Sequence, residues 1–167
     1  MRTVLVTGGS RGIGAAVVRK FASAGERVYF TWQASGEAAQ VLERETGASA
    51  IRCDVRDGEQ VNAAVKAILS KENRIDVLVC CAGMGVSGPV EFLPETELQR
   101  QTEVNFYGTV HTVQAALPYM RKNRGGRIIC LSSVAAVYAI PYQAYYSASK
   151  AAINAFADAL GNEVRQF

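Results

Sequence analysis

Short apolar, β-branched runs alternate with longer helical patterns along almost the whole of this chain, and no other feature narrows its fold as far. Thr3–Val6 reads as a first strand. Gly14–Ala24 follows as a helix with Val17, Val18 and Phe21 on one face, ended by Gly25. Arg27–Trp32, Ala50–Cys53, Ile75–Cys81 and Arg127–Leu131 read as further strands. Helical patterns lie between and after them, at Gly36–Thr46, Gln60–Ser70, Glu95–Lys122 and Tyr145–Glu163, and Pro118 is expected to bend the third of these. Ile75–Cys81 is apolar at almost every position, which suits a strand covered on both faces. Gly83–Pro94 is rich in Gly and Pro and reads as a loop. Alternation of this kind implies right-handed crossovers and a parallel sheet. The expected fold is therefore α/β: a Rossmann-type doubly wound parallel sheet with strand order 3-2-1-4-5, in a single domain over residues 1–167. The full form of that sheet has a sixth strand. Phe167 follows soon after the fifth strand–helix unit, so the domain is expected to be incomplete at its C-terminal end.

Composition excludes several classes of function. A net charge of +3 with no basic run points away from nucleic acid and from membrane surfaces as partners. No stretch approaches the roughly 20 apolar residues that cross a bilayer. The apolar run near Met1 is too short for a secretory leader, so a cytoplasmic location is expected. Cys53, Cys80, Cys81 and Cys130 all lie in or at the ends of strand-like runs. Their spacing matches no zinc pattern and His111 is the single histidine, so they read as reduced structural thiols and no metal is expected. His111 itself, mid-helix and without ligand companions, reads as structural.

Thr7-Gly8-Gly9-Ser10-Arg11-Gly12-Ile13-Gly14 joins the first strand to the first helix. Glycines there permit a tight turn, let the backbone approach a pyrophosphate and leave helix amides pointing at the negative charge. An ordinary tight turn also uses glycines; the position after the first strand of an alternating chain favours a dinucleotide. NAD binders usually carry an acid after the second strand for the ribose 2′-hydroxyl. Here that stretch is Tyr29-Phe30-Thr31-Trp32-Gln33-Ala34-Ser35, with no acid before Glu37, while Arg11 supplies a cation inside the loop. NADP(H) is therefore favoured over NAD(H).

Tyr146-Ser147-Ala148-Ser149-Lys150 places a phenol and an ammonium one helical turn apart. A phenol is a poor base near neutrality, and a neighbouring ammonium makes its ionised form easier to reach. Tyr146 is the expected proton donor to a carbonyl oxygen, or acceptor from an alcohol. Ser133, at the end of the fifth strand, is expected to hydrogen-bond the same oxygen.

These motifs, in this order, resemble the compact single-domain branch of the short-chain dehydrogenase/reductase superfamily, which includes 3-oxoacyl carrier-protein reductases and hydroxysteroid dehydrogenases. The resemblance runs over all 167 residues. It implies a cofactor loop at Gly8, Ser10, Arg11, Gly12, Ile13 and Gly14, an adenine contact at Asp54-Val55, and backbone contacts from Ala82 and Gly83. It also implies that Asn105 holds a water in a proton relay through Lys150, that Lys150 binds the nicotinamide ribose, and that Ser133 and Tyr146 complete the catalytic set. The implied reaction is hydride transfer between nicotinamide and a secondary alcohol or ketone; the alternative is a cofactor-binding fragment without turnover. Members of the family continue into further strands, a segment against the nicotinamide and a substrate lid, all expected to be missing here. Where the family has Asn-Asn-Ala-Gly this chain has Cys80-Cys81-Ala82-Gly83, so a side-chain amide that braces the fourth strand is expected to be lost. The resemblance further implies a homo-oligomer, with a dimer seam on the Glu95–Lys122 and last helices. The stripe of Ile153, Phe156, Leu160 and Val164 reads equally as core.

Overall fold

The strands β1 (Thr3–Thr7), β2 (Arg27–Trp32), β3 (Ser49–Arg52), β4 (Val77–Cys80) and β5 (Arg127–Cys130) form one parallel sheet in the computed structural model, which describes residues 1–166. Their order is β3-β2-β1-β4-β5, as expected. In register, Val4 stands beside Val28 and Val77, and Leu78 beside Ile128. Six α-helices connect and follow the strands: α1 (Gly12–Ser23), α2 (Gly36–Thr46), α3 (Gly58–Glu72), α4 (Glu95–Thr102), α5 (Gly108–Lys122) and α6 (Ala144–Glu163).

Every residue of β1 is buried, because β1 lies at the centre of a sheet covered on both faces. Side chains alternate across the pleat, so Val4 and Val6 join Phe30, Val77 and Val79 on one face, against Val18 of α1 and Leu42 of α2. Leu5 and Leu78 point the other way, into Val65 and Ile68 of α3, Ala116 of α5 and Leu160 of α6. β1 and β4, buried at every residue, therefore show continuous apolar runs in the sequence, whereas Ile129 on the edge strand β5 is exposed.

Helix ends follow local chemistry. The Asp57 side chain accepts hydrogen bonds from the N–H groups of Glu59 and Gln60 and caps α3. Its C-terminus turns through Asn73 at φ 57°, a left-handed conformation that Asn tolerates. His111 pairs through Nδ1 with the Val55 carbonyl oxygen at 3.0 Å, the structural use expected of it.

The expected continuous helix over Glu95–Lys122 is divided. A π-turn, Glu103–Tyr107, separates α4 from α5 and admits an extra residue per turn around Asn105. Pro118 lies inside α5, which continues to Lys122. Pro118 and Gln114, whose carbonyl loses its partner there, are both exposed, so water meets the unpaired group. The Gly83–Pro94 loop contains one 3₁₀ turn, Val90–Phe92. On α6, Ile153 and Leu160 are buried, and Phe156 and the following Val164 pack against the core that holds Leu160.

Leu78 is fully buried between α3 and α5, and Leu78→Ala is expected to destabilise the fold by about 2–5 kcal/mol in a denaturant titration. Hydrogen bonding from Arg56 holds the Asp54 carboxyl below its ordinary range, and Tyr29, assisted by Arg27, does the same for Glu72 against the opposing effect of burial. Groups lowered in this way stabilise the native state above the unfolded-state pKa and lose that contribution as pH falls through the native one. The melting temperature should therefore fall below about pH 4, and Arg56→Ala should flatten that fall.

Candidate active site

Strand order reverses between β1 and β4, whose helices leave on opposite faces, and a crevice opens there at the carboxyl ends of the strands. A cavity of about 1010 Å³ occupies it. On its floor the chain turns sharply through Gly8 (φ 65°) and Gly12 (φ 54°) into α1. A Cβ on Gly8 would lie 2.7 Å from Ala82 Cα, and one on Gly14 would lie 2.9 Å from Gly8 C and closer still to its oxygen. Only glycine lets the helix start so near the strand. A Cβ at Gly12, by contrast, would meet nothing within 4 Å. The turn is tied to β2 by Gly9 N–H to Thr31 O at 2.9 Å.

The N-terminus of α1 has no side-chain cap, unlike that of α3, and Gly12, Ile13 and Gly14 line the cavity there. First-turn amides without a protein partner are ready donors to an anion. Ser10 and Arg11 line the cavity, as do Gln33, Ala34 and Ser35 after β2. Asp54 and Val55 line the far wall, and Arg56 Nη2 neutralises Asp54 at 2.6 Å. Among the described residues, Asp54 is the only acid on the lining.

Thr7 compensates for the thiol at Cys81. Its Oγ1 accepts from Cys81 N at 3.2 Å and from Ala82 N at 3.3 Å, which braces the end of β4 from β1. Ala82 and Gly83 line the cavity. Tyr146 and Lys150, from the first two turns of α6, line it too. The Lys150 Nζ lies 5.9 Å from the centroid of the Tyr146 ring and donates to Leu131 O at 2.8 Å. Burial pulls the Lys150 ammonium below its usual pKa, against the opposing influence of Cys81 and Cys130. Cys81, one of two thiols on the lining with Cys53, is pushed up by burial.

Two of the expected residues stand back from the cavity lining. Ser133 caps a 3₁₀ turn, Val134–Ala136, with its Oγ accepting from Ala135 N at 3.1 Å; its neighbour Ser132 reaches the lining instead. Asn105 is fully buried behind Gly83. Its Oδ1 accepts from Met84 N at 2.8 Å, and its Nδ2 donates to Met84 O at 2.9 Å and to Ser149 Oγ at 3.0 Å.

Several residues escaped the sequence reading. Thr7 and Thr31 tie the glycine turn and β4 together through hydroxyl oxygens, with nothing in their local pattern to mark them. Met84, Gly85 and Ser87 line the cavity. Gln101, fully buried on α4, accepts from Val86 N at 2.7 Å through Oε1. Its Nε2 is the one buried side-chain nitrogen or oxygen without a hydrogen-bond partner among the described residues, a condition that costs about 1–3 kcal/mol. The available signal was its spacing, four residues before Asn105 on one helix face.

The cradle suits a dinucleotide: an uncapped helix start for a pyrophosphate, flanked by space on both sides for two nucleosides. Comparison with known proteins agrees. Two curated relatives are 39% identical, the 3-ketodihydrosphingosine reductase of Bacteroides thetaiotaomicron, and 37% identical, the cyclic-di-GMP-binding biofilm dispersal mediator protein of Escherichia coli. The matches take in 98% and 97% of this chain, which spans 59% and 66% of those proteins' lengths. A crystal structure of a metagenomic short-chain oxidoreductase in complex with NADP superposes with a TM-score of 0.94 at 33% identity, over 99% of this chain and 77% of that one. The family model for short chain dehydrogenases matches residues 2–167, and the chain belongs to that family.

Proposed function

We propose that the protein is an NADP-dependent oxidoreductase that interconverts a ketone and a secondary alcohol. What supports this reading above all is that Tyr146 and Lys150 line the same cavity as the uncapped start of α1. A nicotinamide held there would supply the hydride in reduction and accept it in oxidation. The Tyr146 hydroxyl gives its proton to the carbonyl oxygen in reduction and takes it from the alcohol in oxidation. The Lys150 ammonium stabilises the phenolate; one of its protons goes to Leu131 O, which leaves others for ribose hydroxyls. Ser133 Oγ accepts from Ala135 N, so its own proton is available to orient the carbonyl oxygen. The carboxamide of Asn105 is engaged by Met84 and Ser149, so a water relay to Lys150 has to use its main chain.

The preference for NADP(H) rests on the absence of an acid among Gln33, Ala34 and Ser35 and on Arg11 lining the same cavity. An acid at the end of β2 would repel a 2′-phosphate, whereas a guanidinium binds one through paired hydrogen bonds. Apolar side chains exposed on the loops flanking Tyr146, Val90 and Phe92 on one and Val134, Val137 and Tyr138 on the other, favour a carbonyl with apolar substituents. The relative named for 3-ketodihydrosphingosine reduction is consistent with that class.

A second reading is dinucleotide binding without turnover. The relative described as a cyclic-di-GMP-binding mediator, 37% identical, favours it. Oxidation of NADPH by the purified chain in the presence of aliphatic ketones separates the two readings: binding without oxidation supports the second. On the first, Tyr146→Phe should lower the rate by on the order of a hundred- to ten-thousandfold while NADPH affinity is retained. NADPH should bind about tenfold more tightly than NADH by fluorescence titration, and Arg11→Ala should remove most of that difference. Equal affinities in the unsubstituted chain would overturn the cofactor assignment.

A further inference from the structure

The segment Gly83-Met84-Gly85-Val86-Ser87-Gly88 walls the cavity beside Tyr146, yet three of its residues are glycines, which gives it wide conformational freedom. None of it belongs to a strand. Two side-chain amides take the place of a strand partner. Asn105 pairs with both the N–H and the carbonyl of Met84, and Gln101 accepts the N–H of Val86 at 2.7 Å. Gln101 and Asn105 are four residues apart and Met84 and Val86 are two apart, so the amide pair grips alternate residues of the loop. Gly85, between them, faces the other way: a Cβ there would be 3.5 Å from Tyr146 Cδ2, in ordinary contact with the ring. The far end is tied by Gly88 N–H to Tyr142 O at 2.8 Å, on the loop leading into α6.

Gln101 is an expensive residue for its location. It is fully buried, and its Nε2 has no partner among the described residues. An apolar side chain of similar volume would remove the unpaired donor and release the Val86 N–H to the half-exposed loop. The single gain from the amide is the bond to Val86.

We propose that Gln101 is a positioning residue: its Oε1 holds the Met84–Val86 segment as the wall against the Tyr146 ring, so that a bound carbonyl is confined next to the Tyr146 hydroxyl. The part concerning the carbonyl rests on the oxidoreductase reading; the part concerning the wall does not. Gln101 touches neither cofactor nor substrate. It acts through the loop.

The test compares the unsubstituted chain with Gln101→Leu and Gln101→Glu, the second of which keeps an oxygen for the Val86 N–H. Amide hydrogen exchange at Val86, melting temperature, NADPH affinity and steady-state kinetics with an aliphatic ketone are measured for each. In Gln101→Leu, Val86 exchange should rise about tenfold or more. KM for the ketone should rise by about tenfold with kcat within roughly twofold, while melting temperature and NADPH affinity hold or improve. Gln101→Glu should return exchange and KM most of the way. Unchanged Val86 exchange in Gln101→Leu overturns the proposal. So does a joint fall in melting temperature, NADPH affinity and kcat, which marks a merely structural residue. If the unsubstituted chain oxidises no NADPH, the oxidoreductase reading fails separately; exchange at Val86 then decides the wall by itself, faster exchange sustaining it and an unchanged rate ending it.

Discussion

The close approach of α1 to the end of β1 governs the rest of the molecule. Gly14 has no room for a Cβ because the Gly8 carbonyl occupies that space, and Gly8 has none because Ala82 does. These contacts press a helix start against the carboxyl edge of the sheet at the point where strand order reverses. They also leave the first-turn amides of α1 facing a cavity rather than a capping side chain. A side chain at either glycine would push the helix away from the strand and reshape the floor of the cavity.

A second constraint runs through side-chain oxygens that brace backbone around the crevice. Thr7, Thr31, Asn105 and Gln101 each use a side-chain oxygen to hold backbone amides near the crevice. Segments at the ends of parallel strands have no ladder partner, so their N–H groups must be met by something else. Here the bracing is distributed over residues from β1, β2, α4 and the π-turn. The thiol at Cys81 is tolerated because its backbone N–H, rather than its side chain, receives the brace. The π-turn sits where a regular helix would carry Asn105 around its own axis, and the extra residue coincides with an amide that meets Met84 on both sides.

Much of this architecture was legible in the chain. Continuous apolar runs separated by helical stripes are enough to indicate a covered parallel sheet, and β1 through β5 appear in the expected order. The glycine turn and the Tyr146–Lys150 spacing carried their meaning in short local patterns, where distance along the chain translates directly into distance in space. Boundaries shifted by a few residues, as at α3, where Asp57 caps a helix that starts earlier than its apolar stripe. The break at Glu103–Tyr107 was not visible, since residues on either side of it have helical character and only the extra residue in the turn distinguishes it.

By itself the sequence determined the fold class, the strand order, the cradle at Gly8–Gly14 and the pairing of a phenol with an ammonium, because each depends on periodicity or on contacts within a few residues. Tertiary structure alone decided which polar groups meet across long separations. Gln101 reaching Val86, Asn105 reaching Met84 and Ser149, and Thr7 reaching Ala82 all join segments that carry no mark of one another. The same holds for Asn105, fully buried behind Gly83 rather than on the cavity lining. Such contacts follow from how helices and loops settle on the sheet, and a one-dimensional pattern holds no record of that packing.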